Sequence, residues 1–280
     1  MVRSILAALA CALALTSEAH TNPLVLRASS TERLAIPFRA GEKFTYDAAF
    51  GPIHIGRGTI ELTGFDTVRT HLAWRATMTV AGGLPFYKVR DSTISWFDIR
   101  TLSSFRYAQH LREGSYSADR VYEIYPERAT YARNGRPEAP SVAEPLDDTS
   151  FLYFLRTIPL DVGQRYEFFR YFQPDGNPVV IKVVRKERVK VPAGTFNTIV
   201  LQPRIAAEGI FSKKERAEVW ISDDSVRMIV QIKSHVKFGS LRLSLKSYSR
   251  GIQDPATAAA STSVDRIGRL VELSRNSPRE

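Results

Sequence analysis

Cysteine is almost missing from this chain of 280 residues, and the only one, Cys11, lies close to the N-terminus. The residues before it, Ala8-Leu9-Ala10, fit a lipidation signal poorly, and the apolar run continues past it. We expect Cys11 to leave with a cleaved N-terminal segment. The mature chain would then have no disulfide, no thiolate nucleophile and no cysteine metal site, so packing must supply its stability.

Long hydrophobic runs are also missing after the first 19 residues. That leader has Arg3, an apolar stretch over residues 5–15 and the small-x-small site Ser17-Glu18-Ala19, which predicts a secretory signal cleaved before His20. The apolar stretch is shorter than the roughly 20 residues needed to cross a bilayer. We therefore expect a periplasmic protein with no transmembrane span after signal removal, whose residues 20–37 form a flexible lead-in.

The usual motifs of catalysis are missing as well. The five histidines show no zinc-ligand spacing, no nucleophile elbow of the Gly-x-Ser-x-Gly type occurs, and Gly56 and Gly58 lie in a strand context that favours a bulge over a phosphate loop. Asp223 and Asp224 resemble a catalytic pair, but their place between two apolar strands is typical of a tight turn. We expect no metal, no cofactor and no enzymatic activity.

Acidic residues are too few to balance the basic ones, since 39 Lys and Arg face 29 Asp and Glu and leave a net charge of +10. Such an excess favours anionic partners. For an exported protein, a lipid or another anionic amphiphile of the envelope is a better match than nucleic acid, which we do not expect as a partner.

Alternation of polar and apolar residues is the dominant positive signal, and it predicts half-buried antiparallel strands joined by short turns. The candidate strands are residues 43–50, 53–63, 70–81, 85–99, 101–111, 115–125, 128–133, 165–173, 178–191, 195–206, 213–221, 226–238 and 240–249. Spacings of three and four predict one helix over residues 148–158, capped by Asp147 or Asp148. We expect a single mainly β domain over 38–251, a curved antiparallel sheet or incomplete β-barrel with one packed helix, and a tail over 252–280 that is disordered or a short amphipathic helix.

Some strands are apolar on both faces, notably residues 166–172 and 179–184, and such strands need cover on two sides. A curved sheet around an apolar interior, partly backed by the helix, would provide that cover. Side chains alone could fill this interior, or it could hold a ligand. For the second case we predict that an acyl chain lies against four inward aromatic residues: Trp74, Trp96, Phe168 and Phe172.

Basic residues line one side of the two C-terminal strands, opposite an apolar side. Lys233, Lys237, Arg242 and Lys246 form this set. A solvated outer face explains the pattern, since antiparallel sheets normally expose one side; a site for anionic head groups is the alternative.

Several separate pieces of the chain carry a family resemblance: residues 38–46, 191–198 and 220–224, followed by Arg227 and residues 237–240. In their order and spacing these pieces resemble the exported bacterial family catalogued as domain of unknown function 3108. The resemblance implies an envelope β protein without an assigned reaction. The general architecture is also similar to the half-barrel lipoprotein carriers of the periplasm. We therefore expect a non-enzymatic binding protein for envelope maintenance; the alternatives are a hydrolase or other enzyme acting on an envelope polymer, and a scaffold that binds an envelope protein.

Overall fold

Fourteen strands and one α-helix form the part of the chain that this computed structural model describes, residues 36–84, 87–206, 216–236 and 239–251. The strands are β1 Glu42–Phe50, β2 Ile53–Val68, β3 His71–Leu84, β4 Tyr87–Asp98, β5 Ser104–Glu113, β6 Tyr116–Tyr125, β7 Thr130–Arg133, β8 Ala139–Pro140, β9 Arg165–Phe168, β10 Val179–Val191, β11 Gly194–Arg204, β12 Arg216–Ser222, β13 Ile229–Val236 and β14 Gly239–Arg250. The helix α1 is Asp148–Leu155, and one-turn 3-10 helices lie at Pro126–Arg128 and Pro174–Gly176.

Several predicted segments lie outside the described residues: the signal peptide over 1–19, almost all of the lead-in over 20–37, and the tail over 252–280. No helix among the described residues is both long and apolar enough to cross a membrane.

All the strands belong to one antiparallel sheet, which confirms the predicted fold class. Its order is β8-β7-β6-β5-β4-β3-β2-β1-β14-β13-β12-β11-β10-β9. Each half of the chain is thus a meander, and the two halves join where β1 pairs with β14 from Glu42 opposite Arg250 to Phe50 opposite Leu241. Sequential strands pair with their neighbours because the links between them are short.

The sheet curls until its two edges nearly meet. Beyond β8 and β9, Leu146 forms an isolated parallel bridge with Tyr171, in which the Leu146 N–H donates to the Arg170 carbonyl and the Phe172 N–H donates to the Leu146 carbonyl at 3.0 Å. We call this contact the seam. A single bridge closes the barrel here, so the barrel is incomplete.

Glycines allow the curl at one point of the β2–β3 pair. Gly56 lies opposite Gly82, and a Cβ atom on either glycine would collide with the main chain of the other strand. Beside Gly56 the register with β1 shifts by one residue, the bulge that the glycines of this strand predict.

The helix α1 lies on the concave side of the sheet and fills part of it. Asp147, one of the two predicted caps, accepts hydrogen bonds from the N–H groups of Thr149 and Ser150, and the Ser150 hydroxyl completes a capping box. Every residue of α1 after Asp148 is buried, and its side chains join one continuous apolar core with residues from both halves of the sheet.

A buried ion pair fastens the end of α1 to the joint between the halves. Arg156 donates from Nη1 and Nη2 to the carboxylate of Glu42 at 2.5 and 2.9 Å, and from Nε to the Arg227 carbonyl at 2.8 Å. The rings of Phe38 and Phe44 lie 5.3 Å from the guanidinium carbon. Because both charges are paired and hydrogen-bonded, this polar contact can be buried inside an apolar core.

Candidate functional site

Three of the four predicted aromatic residues, Trp74, Phe168 and Phe172, lie in the core on the concave side. Phe172 packs edge-to-face against Tyr122 and Tyr131, with ring centroids 5.1 and 5.4 Å apart. Trp74 packs against Phe38 at 5.9 Å. Protein side chains therefore occupy much of the interior, which is the first of the two alternatives that the sequence left open.

The position predicted for Trp96 is wrong. Register places Trp74 opposite Phe97, whereas Trp96 lies opposite Arg75, on the other side of the sheet. There its Nε1 donates to the Asp66 carboxylate at 2.8 Å, and the guanidinium carbons of Arg75 and Arg106 lie 5.7 and 5.6 Å from its ring. Neighbouring residues of a strand face opposite sides, and the buried Phe97 takes the inner one.

Phe168 lines a narrow cleft between α1 and the first strands of the C-terminal half. The other lining residues are Leu146, Phe151, Phe154, Arg170, Tyr171 and Val179. In this structure the cleft is too narrow to admit a water molecule. It lies at the seam, since Leu146 and Tyr171 form the closing bridge; a separation of the two sheet edges would widen it.

Arg170, one of the lining residues, places a charge beside this apolar cleft. Its side chain is 10% exposed, and its guanidinium carbon lies 4.9 Å from the centroid of the Phe154 ring. The Phe154 ring also packs against Phe168, with centroids 5.0 Å apart. Burial lowers the pKa of Arg170 to about 10, so the group remains cationic at neutral pH. Guanidinium groups are almost never buried without a partner.

The hydrogen bonds of Arg170 go to main-chain carbonyl groups. Nε donates to the Glu144 carbonyl and Nη2 to the Thr101 carbonyl, both at 2.8 Å, while within the described residues Nη1 donates none. The only anion that pairs with it there is the Glu144 carboxylate, which lies 3.8 Å from Nε and is 38% exposed. The charge of Arg170 is thus incompletely neutralised.

The outer side of the same segment exposes apolar surface. Phe169, next to Arg170, is 62% exposed, and Val184 on the neighbouring strand is 36% exposed. The sequence predicts that both faces of these strands are covered by other parts of the protein. This prediction is wrong for Phe169 and Val184, because α1 packs only on the concave side of the sheet.

A polar cluster surrounds the N-terminus of α1, close to the cleft. The carboxylate of Asp148 accepts hydrogen bonds from the hydroxyl groups of Tyr107 and Tyr171 at 3.0 and 3.1 Å. Asp147 is fully buried and also accepts from Ser95 at 2.5 Å. Burial raises the pKa of Asp147 to about 6 and raises that of Asp148. Both carboxyl groups are occupied in holding α1 against the sheet.

The predicted basic set does not face the aromatic interior. Lys233 pairs with Arg242 across β13 and β14, on the side opposite Ile232 and Leu243, which lie in the core. Lys246 is already paired with Asp47 at 2.9 Å, and Lys237 lies outside the described residues. One amphiphile cannot reach Phe168 and Lys233 together, because the sheet separates them.

The aspartates between β12 and β13 have the structural role that the sequence predicts. The Asp224 carboxylate accepts hydrogen bonds from the N–H groups of Val226 and Arg227, both at 2.9 Å, and Asp223 pairs with Lys186 at 2.9 Å. Within the described ranges, no group of three His, Cys, Asp or Glu side chains is arranged to hold a metal ion.

The fold defines a β-barrel-like protein with an inner helix. A solved structure with a similar fold is a β-barrel-like protein of domain of unknown function DUF1849 from Brucella abortus, which aligns with a TM-score of 0.52 at 11% identity over 77% of this chain and 99% of that chain. The chain itself belongs to the family described as protein of unknown function DUF3108, whose model matches residues 45–246. The resemblance seen in the sequence is thereby confirmed.

Two further solved structures align over similar lengths but less closely. One is a candidate lipoprotein from Parabacteroides distasonis, with a TM-score of 0.34 at 10% identity over 78% of this chain and 99% of that chain. The other is a candidate exported protein with a YmcC-like fold from Bacteroides fragilis, with a TM-score of 0.34 at 11% identity over 78% and 100%. No curated protein matches this chain.

Arg170 is the site residue that sequence reasoning missed. The signal was present, since Arg170 is the only cation inside the aromatic run Phe168-Phe169-Arg170-Tyr171-Phe172. The alternation of residues along the strand predicts which face of the sheet each aromatic side chain of this run lies on, but it gives no role to the arginine.

Proposed function

We propose that this protein is a non-enzymatic binding protein of the bacterial periplasm, which holds the apolar chain of a lipid or similar amphiphile in the cleft at the seam. The N-terminal sequence supports the location, because it has the charged, apolar and small-residue regions of a secretory signal. The binding role rests on one observation: an apolar cleft, lined by Phe154, Phe168 and Val179, lies where a single bridge closes the barrel.

The physical argument is the burial of apolar surface. An acyl chain transferred from water to such a cleft gains about 0.8 kcal/mol for each CH₂ group that is buried. Since the cleft is closed in this structure, binding must first separate the edges that meet at Leu146 and Tyr171. That separation breaks few main-chain hydrogen bonds, because the seam has no continuous ladder.

The non-enzymatic part of the proposal follows from the acidic residues near the cleft. Asp147 caps α1, and Asp148 accepts hydrogen bonds from two tyrosines. These hydrogen bonds assign both carboxyl groups to anchoring the helix, and we infer that neither acts as a general acid or base, a role that requires direct contact with the substrate.

Blocking the cleft tests the proposal. We expect the wild-type protein to bind dodecyl maltoside, an uncharged single-chain amphiphile, and Val179→Phe to abolish that binding by filling the cleft. Native mass spectrometry and isothermal titration, below the micelle concentration, would measure it.

Val183→Phe is the matched control. Val183 lies on the same strand, faces the same side and is as buried as Val179, but it does not line the cleft. Both variants overpack the core, at a cost of about 1–3 kcal/mol each, and only Val179→Phe should lose the ligand. A wild-type protein that binds no amphiphile would refute the proposed function, and equal losses in the two variants would refute the position of the site.

A further inference from the structure

We propose that the amphiphile carries an anionic oxygen head group, a carboxylate or a phosphate, and that the guanidinium of Arg170 binds it. This inference rests on the proposed function and adds the chemical class of the ligand. It assigns recognition to a residue outside the basic set on the outer face of the sheet.

The position of the guanidinium carries the first step. Arg170 is one of the residues that line the cleft, and its guanidinium carbon is 4.9 Å from the ring centroid of Phe154. An amphiphile with its chain against Phe154 and Phe168 would therefore have its head close to a buried cation. Arg is well suited to carboxylate and phosphate groups, because its planar fork matches their oxygen geometry.

Charge carries the second step. A buried cation requires neutralisation, and the Glu144 carboxylate supplies it only loosely, at 3.8 Å from Nε and 38% exposed. Nε and Nη2 are engaged by carbonyl groups, which leaves Nη1 for a ligand oxygen. An anionic head group would complete the coordination of Arg170, whereas a cationic one would be repelled.

The seam carries the third step, because it gives the ligand a path. The Arg170 carbonyl accepts the hydrogen bond from Leu146 that closes the barrel, so Arg170 lies at the point that must open. Phe169 beside it is 62% exposed on the outer side of the same segment. Opening of the seam would uncover the cleft and Arg170 together, so the chain and the head group can enter by one path.

Three ligands with the same chain test the inference: dodecanoate, dodecyl phosphate and dodecyl maltoside. We expect the wild-type protein to bind one or both anions at least about tenfold more tightly than the maltoside, the effect of one charge-assisted hydrogen bond. The two anions distinguish a carboxylate ligand from a phosphate ligand. Arg170→Gln should abolish this preference while the affinity for the maltoside is retained.

Arg69→Gln is the control, because Arg69 also donates to main-chain carbonyl groups, those of Phe105 and Ile124, but does not line the cleft. It should leave the preference unchanged. If Arg170→Gln does not fold, the wild-type ranking and Arg170→Lys, which should keep a reduced preference for anions, decide the question.

Equal affinities of the wild-type protein for all three ligands, or an intact preference in Arg170→Gln, would overturn the assignment of Arg170. In either case the proposed function stands, since the maltoside still binds. The absence of binding by any of the three would overturn the proposed function itself.

Discussion

The two halves of the sheet meet twice, and the two meetings differ greatly in strength. On one side β1 and β14 pair along the whole of β1, and the buried ion pair of Glu42 and Arg156 reinforces that joint. On the other side the main-chain pairing is a single bridge, between Leu146 and Tyr171, and beside it the Ser141 hydroxyl donates to the Phe172 carbonyl at 2.6 Å. Main-chain pairing between the halves is thus continuous on one side and reduced to one bridge on the other.

This difference explains why the candidate site lies at the seam and not in the centre of the interior. The interior is filled by α1 and by aromatic rings from both halves. A ligand can enter only where its contacts replace contacts within the protein at a low energetic cost. Local opening is easiest where few hydrogen bonds must break.

Glu42→Gln should give the largest effect, because it leaves the charge of Arg156 buried and unpaired at the strong joint. We expect the free energy of unfolding to fall by about 3–5 kcal/mol, measured by urea denaturation. Glu61→Gln is the control in the neighbouring strand, since its pair with Lys43 is half-exposed and should contribute less than about 1 kcal/mol. Equal losses in the two variants would show that the strong joint does not depend on its buried pair.

Asp147→Asn should change the pH dependence of stability. The pKa of Asp147 is raised from 3.8 to about 6 in the folded protein, so the folded state favours the protonated carboxyl group. The contribution of this protonated group to the free energy of unfolding is therefore complete below about pH 4 and is lost as the pH rises through 6. A difference of about 2 between the folded and unfolded pKa values corresponds to a loss of about 3 kcal/mol in the free energy of unfolding over this pH range.

Denaturation of wild type and Asp147→Asn between pH 4 and 7 would measure this contribution. The gap between the two free energies of unfolding should change in favour of the variant as the pH rises. A gap that stays constant across this range would contradict the role given to Asp147.

The smallest expected effect is a difference in hydrogen-exchange rate between the β1–β14 joint and the seam, which compares the two places directly. We expect peptides covering residues 144–147 and 170–172 to exchange at least about tenfold faster than the peptide covering β1, which corresponds to an opening easier by about 1.4 kcal/mol. Saturating dodecyl maltoside should change exchange at the seam and leave β1 as it was. Equal protection at the two joints would contradict a weak seam.

Most of the fold could be predicted from the sequence because it depends on local pattern. The predicted strands agree with the observed ones to within a few residues at most ends, and Asp147 caps the helix as expected. The predicted strand over residues 165–173 is longer than β9, which ends at Phe168. Its partner β10 begins at Val179, directly after Pro178, which has no N–H group to continue the ladder.

The site itself was predicted only in part. Phe168 lines the cleft and Phe172 lies in the core, while Trp96 lies on the opposite face and the sequence pattern gives Arg170 no role. A shift of register by one residue exchanges the two faces of a strand. Composition alone cannot show which of Trp96 and Phe97 points inward.

By itself, the sequence of this protein determined its antiparallel strands, its single helix and the turn at Asp223 and Asp224, since alternation and capping act between residues close along the chain. Tertiary structure alone decided that Leu146 meets Tyr171 and that Arg170 lies beside Phe154. These contacts lie beyond the reach of local alternation and capping. They join the two ends of the sheet, so their positions depend on the accumulated twist and register of its fourteen strands.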